Sequence, residues 1–438
     1  MGFTDQKTAI VVGGGIMGVC TAWYFSKKKF KHVILFDSHP LPRASGSSSI
    51  DGNRAIRYSY GNDPGYTLMV ADAYASWDEL FADVADGNTL MTNTGTLLIK
   101  SKATQESINQ NEGLQVEVPN TWIEDSISVM NKYKDKINFT GRYLTNSELK
   151  HIHPFVKTEN VEYTYFTPTG GLLHAGDIVN QTVKWLKKQP NVTVYEGSEY
   201  EITNINVPKV SKNRCAEENY DSSNSTQQNQ STFCTTKSGQ VFECDHMIVA
   251  AGIYINKLRP SAEDSIFYTR HVVTYYNDED KAIMDTWKTT PLIIEYNNVN
   301  SYYLLPNIGG TGTYGIKAGD RRYNKMHYEK EDFKISDDFE EGTFQWLKQR
   351  FTDDSYKNMS RTHQKICYHD YSKENGKFIF DSLNEETTSV AIYGFSGHGF
   401  KFGALIGKVV YDSIMGKKNV DEVKEWFAGK KHCFYDDF

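Results

Sequence analysis

Ala9-Ile10-Val11-Val12-Gly13-Gly14-Gly15-Ile16-Met17-Gly18 is the stretch that decides how this chain folds. Four apolar, mostly β-branched residues suit a strand buried on both faces of a parallel sheet. They run into a GxGxxG match, and the pattern beyond predicts a helix over residues 19–28. A second apolar run, His32-Val-Ile-Leu-Phe36, predicts the next strand and ends in Asp37. Strand, glycine turn, helix, strand and acid in that order form a dinucleotide fingerprint. Gly13 permits the tight turn, Gly15 lets the backbone approach a pyrophosphate, and Gly18 lets the helix pack on the strand. Ile16 and Met17 carry the chain into the helix whose positive end faces the phosphates, and Asp37 accepts from a ribose. The competing reading is a glycine-rich turn with Asp37 as a helix cap. The motif alone does not separate FAD from a nicotinamide dinucleotide.

Working outward, 438 residues exceed the size at which one hydrophobic core usually stops growing, so two interleaved domains are expected. Hydrophobic residues at 39% and aromatics at 13% suffice for a core and an aromatic-lined pocket. A net charge of −7 argues against nucleic acid as a partner, which needs a concentrated basic face. No apolar run is long enough to cross a bilayer, the N-terminus lacks a secretory signal, and Tyr435-Asp-Asp-Phe438 is no peroxisomal tripeptide, so a cytoplasmic location is expected. The six cysteines form no CxxC pair, which predicts reduced thiols and no metal cluster. Residues 208–232 are polar and read as a flexible insertion, an excursion from a hairpin between strand-like runs at 200–207 and 240–251. A charged stretch at 328–341 predicts a solvated helix entry. Near the end, a strand at 390–393, a glycine-rich turn and an apolar helix at 402–414 repeat the strand–turn–helix theme.

Four further segments carry a resemblance. They are Ser45-Gly-Ser-Ser-Ser-Ile-Asp-Gly-Asn53-Arg54-Ala-Ile-Arg57-Tyr-Ser-Tyr-Gly61, Tyr314-Gly-Ile-Lys317-Ala-Gly319, Lys365-Ile-Cys367-Tyr368 and Gly394-Phe-Ser-Gly397-His398-Gly399-Phe400-Lys401-Phe402. With the N-terminal fingerprint, and in this order, they resemble the monomeric sarcosine oxidase family of flavoproteins. Its fungal members include fructosyl amino acid oxidases (amadoriases), pipecolate oxidases and saccharopine oxidases. The resemblance implies an α/β fold: a Rossmann-like FAD domain of glutathione-reductase type at residues 1–88, 152–260 and 373–438, interleaved with an α+β, mixed-sheet substrate domain at 89–151 and 261–372.

The resemblance also assigns roles. Cys367 is joined through a thioether to the flavin, with the cation Lys365 nearby to favour the thiolate; a small buried hydrophobe is the alternative. Lys317 activates oxygen, because a fixed cation stabilises the superoxide formed beside an apolar ring; an ordinary lysine at a strand end is the alternative. Arg57 and Lys401 hold the substrate carboxylate, as a guanidinium fork and a point charge suit a buried anion. Asn53 and Arg54 lie close to the flavin, and Gly397, His398, Gly399 and Phe400 bring backbone to its pyrimidine edge. A solvated patch is the alternative for the two arginines. Sarcosine-specific members carry histidines near Ser49 and Ile50 and a tyrosine at His369, so sarcosine itself is disfavoured. His369 becomes a polar contact to a sugar hydroxyl or second carboxylate, or a core histidine. Tyr302, Tyr303 and Tyr314 line a pocket or pack beneath a sheet. The expected enzyme is a monomer with FAD as cofactor and oxygen as acceptor. It oxidises the C–N bond of an amino-acid-derived secondary amine, fructosyl amino acids first, saccharopine and pipecolate next, sarcosine last. A nicotinamide-dependent dehydrogenase and a non-catalytic flavin-binding protein are the readings from other classes.

Overall fold

The strand Asp5–Val12 lies between His246–Val249 and Phe30–Asp37, parallel to both. Ala9, Ile10 and Val11 are fully buried, as a central parallel strand requires. The sheet continues through Val192–Glu196 on one side and Ser389–Tyr393 on the other, and the antiparallel Ile379–Ser382 ends it. This computed structural model describes residues 5–28, 30–42, 47–49, 51–103, 121–209, 231–297, 299–310, 314–321, 323–326 and 337–438.

The first helix, Ile16–Lys27, begins earlier than the pattern predicts, because Gly15 in extended conformation already serves as its N-cap. It packs on the C-terminal helix Gly403–Ile414. Backbones meet there: a Cβ on Gly407 would stand 2.5 Å from the Cys20 carbonyl oxygen. The residues 240–251 form two strands, Val241–Cys244 and His246–Val249, not one. Asp245 breaks the run, exchanging backbone and side-chain hydrogen bonds with Thr8 at 3.0 and 2.7 Å. Val241–Cys244 joins Thr232–Thr236 and Ile202–Asn206 in an antiparallel sheet. The expected insertion falls largely on residues 210–230, outside the described residues.

A second, mixed sheet supplies the site. Its long antiparallel pair, Ile266–Asn277 with Ser360–Ser372, sets His271 opposite Cys367 and Thr269 opposite His369. Lys317, on the strand Ile316–Asp320, stands opposite Tyr275. Because side chains alternate, Lys365, Cys367 and His369 share one face. The other face, with Tyr276, Ile316, Ala318 and Tyr302, is covered by Trp346, Leu347 and Phe351. The first two belong to the helix Asp337–Arg350, so this helix turns an apolar side inward; the expected charged entry at 328–336 lies outside the described residues. Val161–Thr167 pairs with Thr96–Ser101 in this sheet, so the segment 152–260 contributes to both large sheets. Among the described residues no helix is long and apolar enough to cross a membrane, and Cys20, Cys234, Cys244, Cys367 and Cys433 are free thiols.

Candidate active site

Gly13 adopts φ +109°, and a Cβ there would stand 2.4 Å from the Ala250 carbonyl oxygen. Gly18 is tighter still, with the Gly13 carbonyl oxygen 1.8 Å from where its Cβ would be. The turn therefore closes only with glycine at both positions. Asp37 leaves its strand to accept from the Gly14 N–H at 2.7 Å and the His39 N–H at 2.9 Å. A cavity of about 510 Å³ opens over this turn. Gly13, Gly15, Ile16, Met17 and Asp37 line one end, and Arg54, His369, Gly397, Gly399 and Phe400 the other.

A second cavity, of about 370 Å³, shares Arg54, His369, Gly397 and Phe400 with the first. Cys367, Lys317, Arg57, His398 and Lys401 all line it, residues drawn from four separated stretches of sequence. Asn53 lies behind the wall, fully buried, with its Nδ2 donating to the Pro306 carbonyl at 3.3 Å and its Oδ1 unpartnered. Gly397, at φ +75°, sits where a Cβ would meet the His369 ring at 2.9 Å.

Asp51, which the sequence reading passed over, is the electrostatic hub. Lys317 Nζ donates to Asp51 Oδ2 at 2.6 Å and to the Asn53 carbonyl at 3.0 Å. Arg54 and the Tyr275 hydroxyl also donate to the Asp51 carboxylate, and the Gly52 N–H reaches it at 2.9 Å. Burial works to raise the Asp51 pKa, but Arg54 and Lys317 overcome it and hold the carboxyl well below its usual range. Burial pulls the Lys317 ammonium down to about 8, Arg54 adds to the pull, and Asp51 opposes it. Arg54 also donates to Cys367 Sγ at 3.6 Å, so the buried thiol has a cation beside it.

Across the cavity, Lys401 Nζ donates to the Tyr60 hydroxyl and the His398 carbonyl, each at 2.9 Å. Trp77 Nε1 donates to the Lys401 carbonyl at 2.7 Å and pins the loop. Arg57 reaches the Ser59 carbonyl and its hydroxyl, the latter at 3.1 Å. Neither cation has a carboxylate partner among the described residues. Burial, then the neighbouring Arg57, pulls Lys401 well below the ordinary lysine value; burial lowers Arg57 too. His369 and His398 are held neutral chiefly by burial. His369 keeps an unpartnered Nδ1, and its ring lies 4.8 Å from that of His271. Of the tyrosines, Tyr303 lines the cavity, Tyr302 stacks on Trp346 and Tyr314 is exposed.

The profile of the DAO family, FAD dependent oxidoreductases, matches residues 8–413. The chain belongs to that family. Among curated relatives, mouse peroxisomal sarcosine oxidase is 25% identical over 94% of this chain and 93% of its own. Monomeric sarcosine oxidase of an Arthrobacter strain is 23% identical over 96% of each chain. Of solved structures, Aspergillus fumigatus fructosamine oxidase (amadoriase II) superposes with a TM-score of 0.72 at 17% identity, covering 98% of this chain and 92% of that one. L-proline dehydrogenase of P. horikoshii gives 0.71 at 17%, covering 97% of each. FAD fits the residues present: Gly15, whose Cβ position meets only Ser49 Oγ at 3.2 Å, leaves backbone open to a pyrophosphate in the first cavity, and the unpartnered Nδ1 of His369, which lines both cavities, suits a polar edge of the group. In this DAO-family chain, bound FAD would supply a two-electron acceptor.

Proposed function

We propose that this enzyme oxidises the C–N bond of an amino acid carrying a secondary amine and passes the electrons to oxygen. The observation that carries the reading is the pair Arg57 and Lys401, one half-buried and one buried, without a carboxylate partner among the described residues and lining the same cavity as Lys317 and Cys367. Two depressed cations facing one space favour an anion between them, since a carboxylate restores the charge stabilisation that burial removes. A substrate so held brings its neutral amine and α C–H toward Arg54 and Cys367. Loss of two electrons and two protons, one from the α carbon and one from nitrogen, leaves an imine, which water hydrolyses to a carbonyl compound and an amine. Oxygen takes the electrons with two protons to give hydrogen peroxide, and the Lys317 ammonium stabilises the superoxide formed on the way. We assign Cys367 as the covalent anchor of the cofactor, supported by its burial in the wall of the second cavity and the cation Arg54 beside it. His369, being neutral, contributes a hydrogen bond and no charge.

Within this class the reading ranks N-fructosyl amino acids first, saccharopine and pipecolate next and sarcosine last, on a cytosolic enzyme acting as a monomer. It keeps the two-domain division, with residues 161–167 assigned to the substrate sheet. Turnover of the purified protein with each amine, followed by peroxide release, tests the reading. Peroxide from fructosyl-valine or fructosyl-lysine is expected. A clear preference for sarcosine overturns the ranking, and a flavin that no amine bleaches without oxygen overturns the reading.

A further inference from the structure

The substrate cavity holds one cation more than a single carboxylate needs. Arg321 lines it, four residues after Lys317, its backbone N–H fixed on the Ser301 carbonyl at 3.0 Å. Its guanidinium carbon stands 5.0 Å from the Tyr296 ring centroid and 5.4 Å from that of Trp122. These two rings are stacked, 4.6 Å apart and within 3° of parallel, and Trp122 is 8% and Tyr296 2% exposed. Arg57 approaches the same Trp122 ring at 5.3 Å. A rigid aromatic pair thus holds one guanidinium, and shares a second, at the wall of one cavity. The like charge is felt: after burial, Arg321 is among the influences that lower Arg57.

Among the described residues, Arg321 has no carboxylate within 4.0 Å. Asp63, which lines the cavity, is taken by Lys377, and Asp51, which does not, is held by Lys317 and Arg54. Asp320, the neighbour of Arg321, has a partner of its own. A structural arginine in a protein interior ends on a carboxylate, as Arg350 does on Glu295 at 2.7 Å. Arg321 ends in a cavity, on aromatic faces that fix its direction and leave its N–H groups for a ligand.

We propose that Arg321 is a specificity residue that binds a second carboxylate, so that the preferred substrate is an N-substituted amino acid carrying two. This rests on the amine-oxidase reading and narrows it: the first carboxylate goes to Arg57 and Lys401, the second to Arg321. The second group is borne either by the amino acid side chain or by the substituent on nitrogen. Among fructosyl adducts this selects those of acidic amino acids over fructosyl-valine and fructosyl-lysine; it also reorders the ranking above, moving saccharopine, which carries more than one carboxylate, ahead of monocarboxylate amines.

The test compares kcat/KM of the flavin-loaded enzyme on matched pairs in which a carboxylate is replaced by its amide. N-methyl-L-glutamate against N-methyl-L-glutamine probes the side-chain arm, and N-(2-carboxyethyl)glycine against N-(2-carbamoylethyl)glycine the nitrogen arm. In one arm the acid is expected to win by about 10- to 100-fold, the worth of a charged hydrogen-bonded pair in a closed site. Arg321→Gln collapses that ratio to near one, Arg321→Lys restores part of it, and Arg57→Gln depresses acid and amide alike. No preference in either arm, or a preference that survives Arg321→Gln, overturns the proposal. Binding of thiodiacetate against (methylthio)acetate, read as perturbation of flavin absorption, separates the two layers. If no amine reduces the flavin yet thiodiacetate binds Arg321-dependently, the amine chemistry fails and the second-anion site stands. If thiodiacetate binds no better than the monoacid while amines turn over, the site fails and the activity stands.

Discussion

Asp51→Asn removes the carboxylate that pairs with two cations, the buried Lys317 at 2.6 Å and the half-buried Arg54. Lys317 sits near 8 with that charge in place, burial being the larger pull. An opposite charge at this range is worth about 1–3 pKa units. Taking about 2 units, the Lys317 ammonium in the variant titrates near 6. At pH 7.5 the protonated fraction then falls from about three quarters to about 3%, a loss of about 25-fold in any step that needs the ammonium. The sign follows from the depressed lysine: the cation exists below its pKa and disappears as pH rises through it. Reoxidation of the reduced enzyme by oxygen, followed by stopped-flow absorbance from pH 5 to 9, reads this directly. The native rate is expected to fall as pH passes about 8. The Asp51→Asn rate should fall about 2 units lower. Lys317→Met should be slow and flat across the range.

Asparagine keeps the shape of Asp51 and can still accept from Tyr275 and Gly52. The uncompensated cations nevertheless cost stability, of order 3–5 kcal/mol for a broken buried pair. The double variant Asp51→Asn/Lys317→Met removes one of those cations and should recover part of that loss without recovering the oxygen rate. An Asp51→Asn profile that inflects at the native pH refutes the assignment of Lys317 as the titrating group, and an unchanged rate refutes its role with oxygen.

Cys367→Ser should lower the intact mass of denatured protein by one FAD and let acid release all the colour; a mass increment that persists excludes Cys367 as the anchor. Gly18→Ala forces a Cβ to within 1.8 Å of the Gly13 carbonyl oxygen, so the turn must open. Overpacking of this kind costs about 1–3 kcal/mol, and flavin content should drop with the melting temperature. Gly239→Ala serves as the comparison, since nothing lies within 4 Å of its Cβ position and only the cost of φ +84° applies.

The cradle was legible in the sequence because its demands are local. A left-handed Gly13, a Gly18 without room for a methyl group and an acid at a strand end each leave a mark within 30 residues. The paired helices at the two chain ends were legible for the same reason, each following its own strand and turn. Tyr302 and Tyr303 could not be told apart from composition. The pleat sends one beneath the helix Asp337–Arg350 and the other into the cavity, and only the register Tyr303↔Gly319 reveals which. Asp51 was hidden in a Ser- and Gly-rich segment, where an acid reads as a turn residue. Its partners Lys317 and Tyr275 lie more than 200 positions away.

The two groups of cations differ in one respect that local sequence does not carry. Lys317 and Arg54 share Asp51, so the charge there is partly neutralised within the fold and available to an electron-transfer step without drawing an anion. Among the described residues Arg57, Lys401 and Arg321 have no such acid, so the remainder of the cavity carries excess positive charge in a space walled by Trp122 and Tyr60. A neutral amine with no carboxylate gains nothing from that wall, and a cationic polyamine is repelled by it. On the proposed reading, substrate selection is electrostatic before it is steric. Moving Asp51's charge across the cavity, as in Asp51→Asn/Arg321→Glu, should weaken binding of (methylthio)acetate by more than the two single changes account for separately.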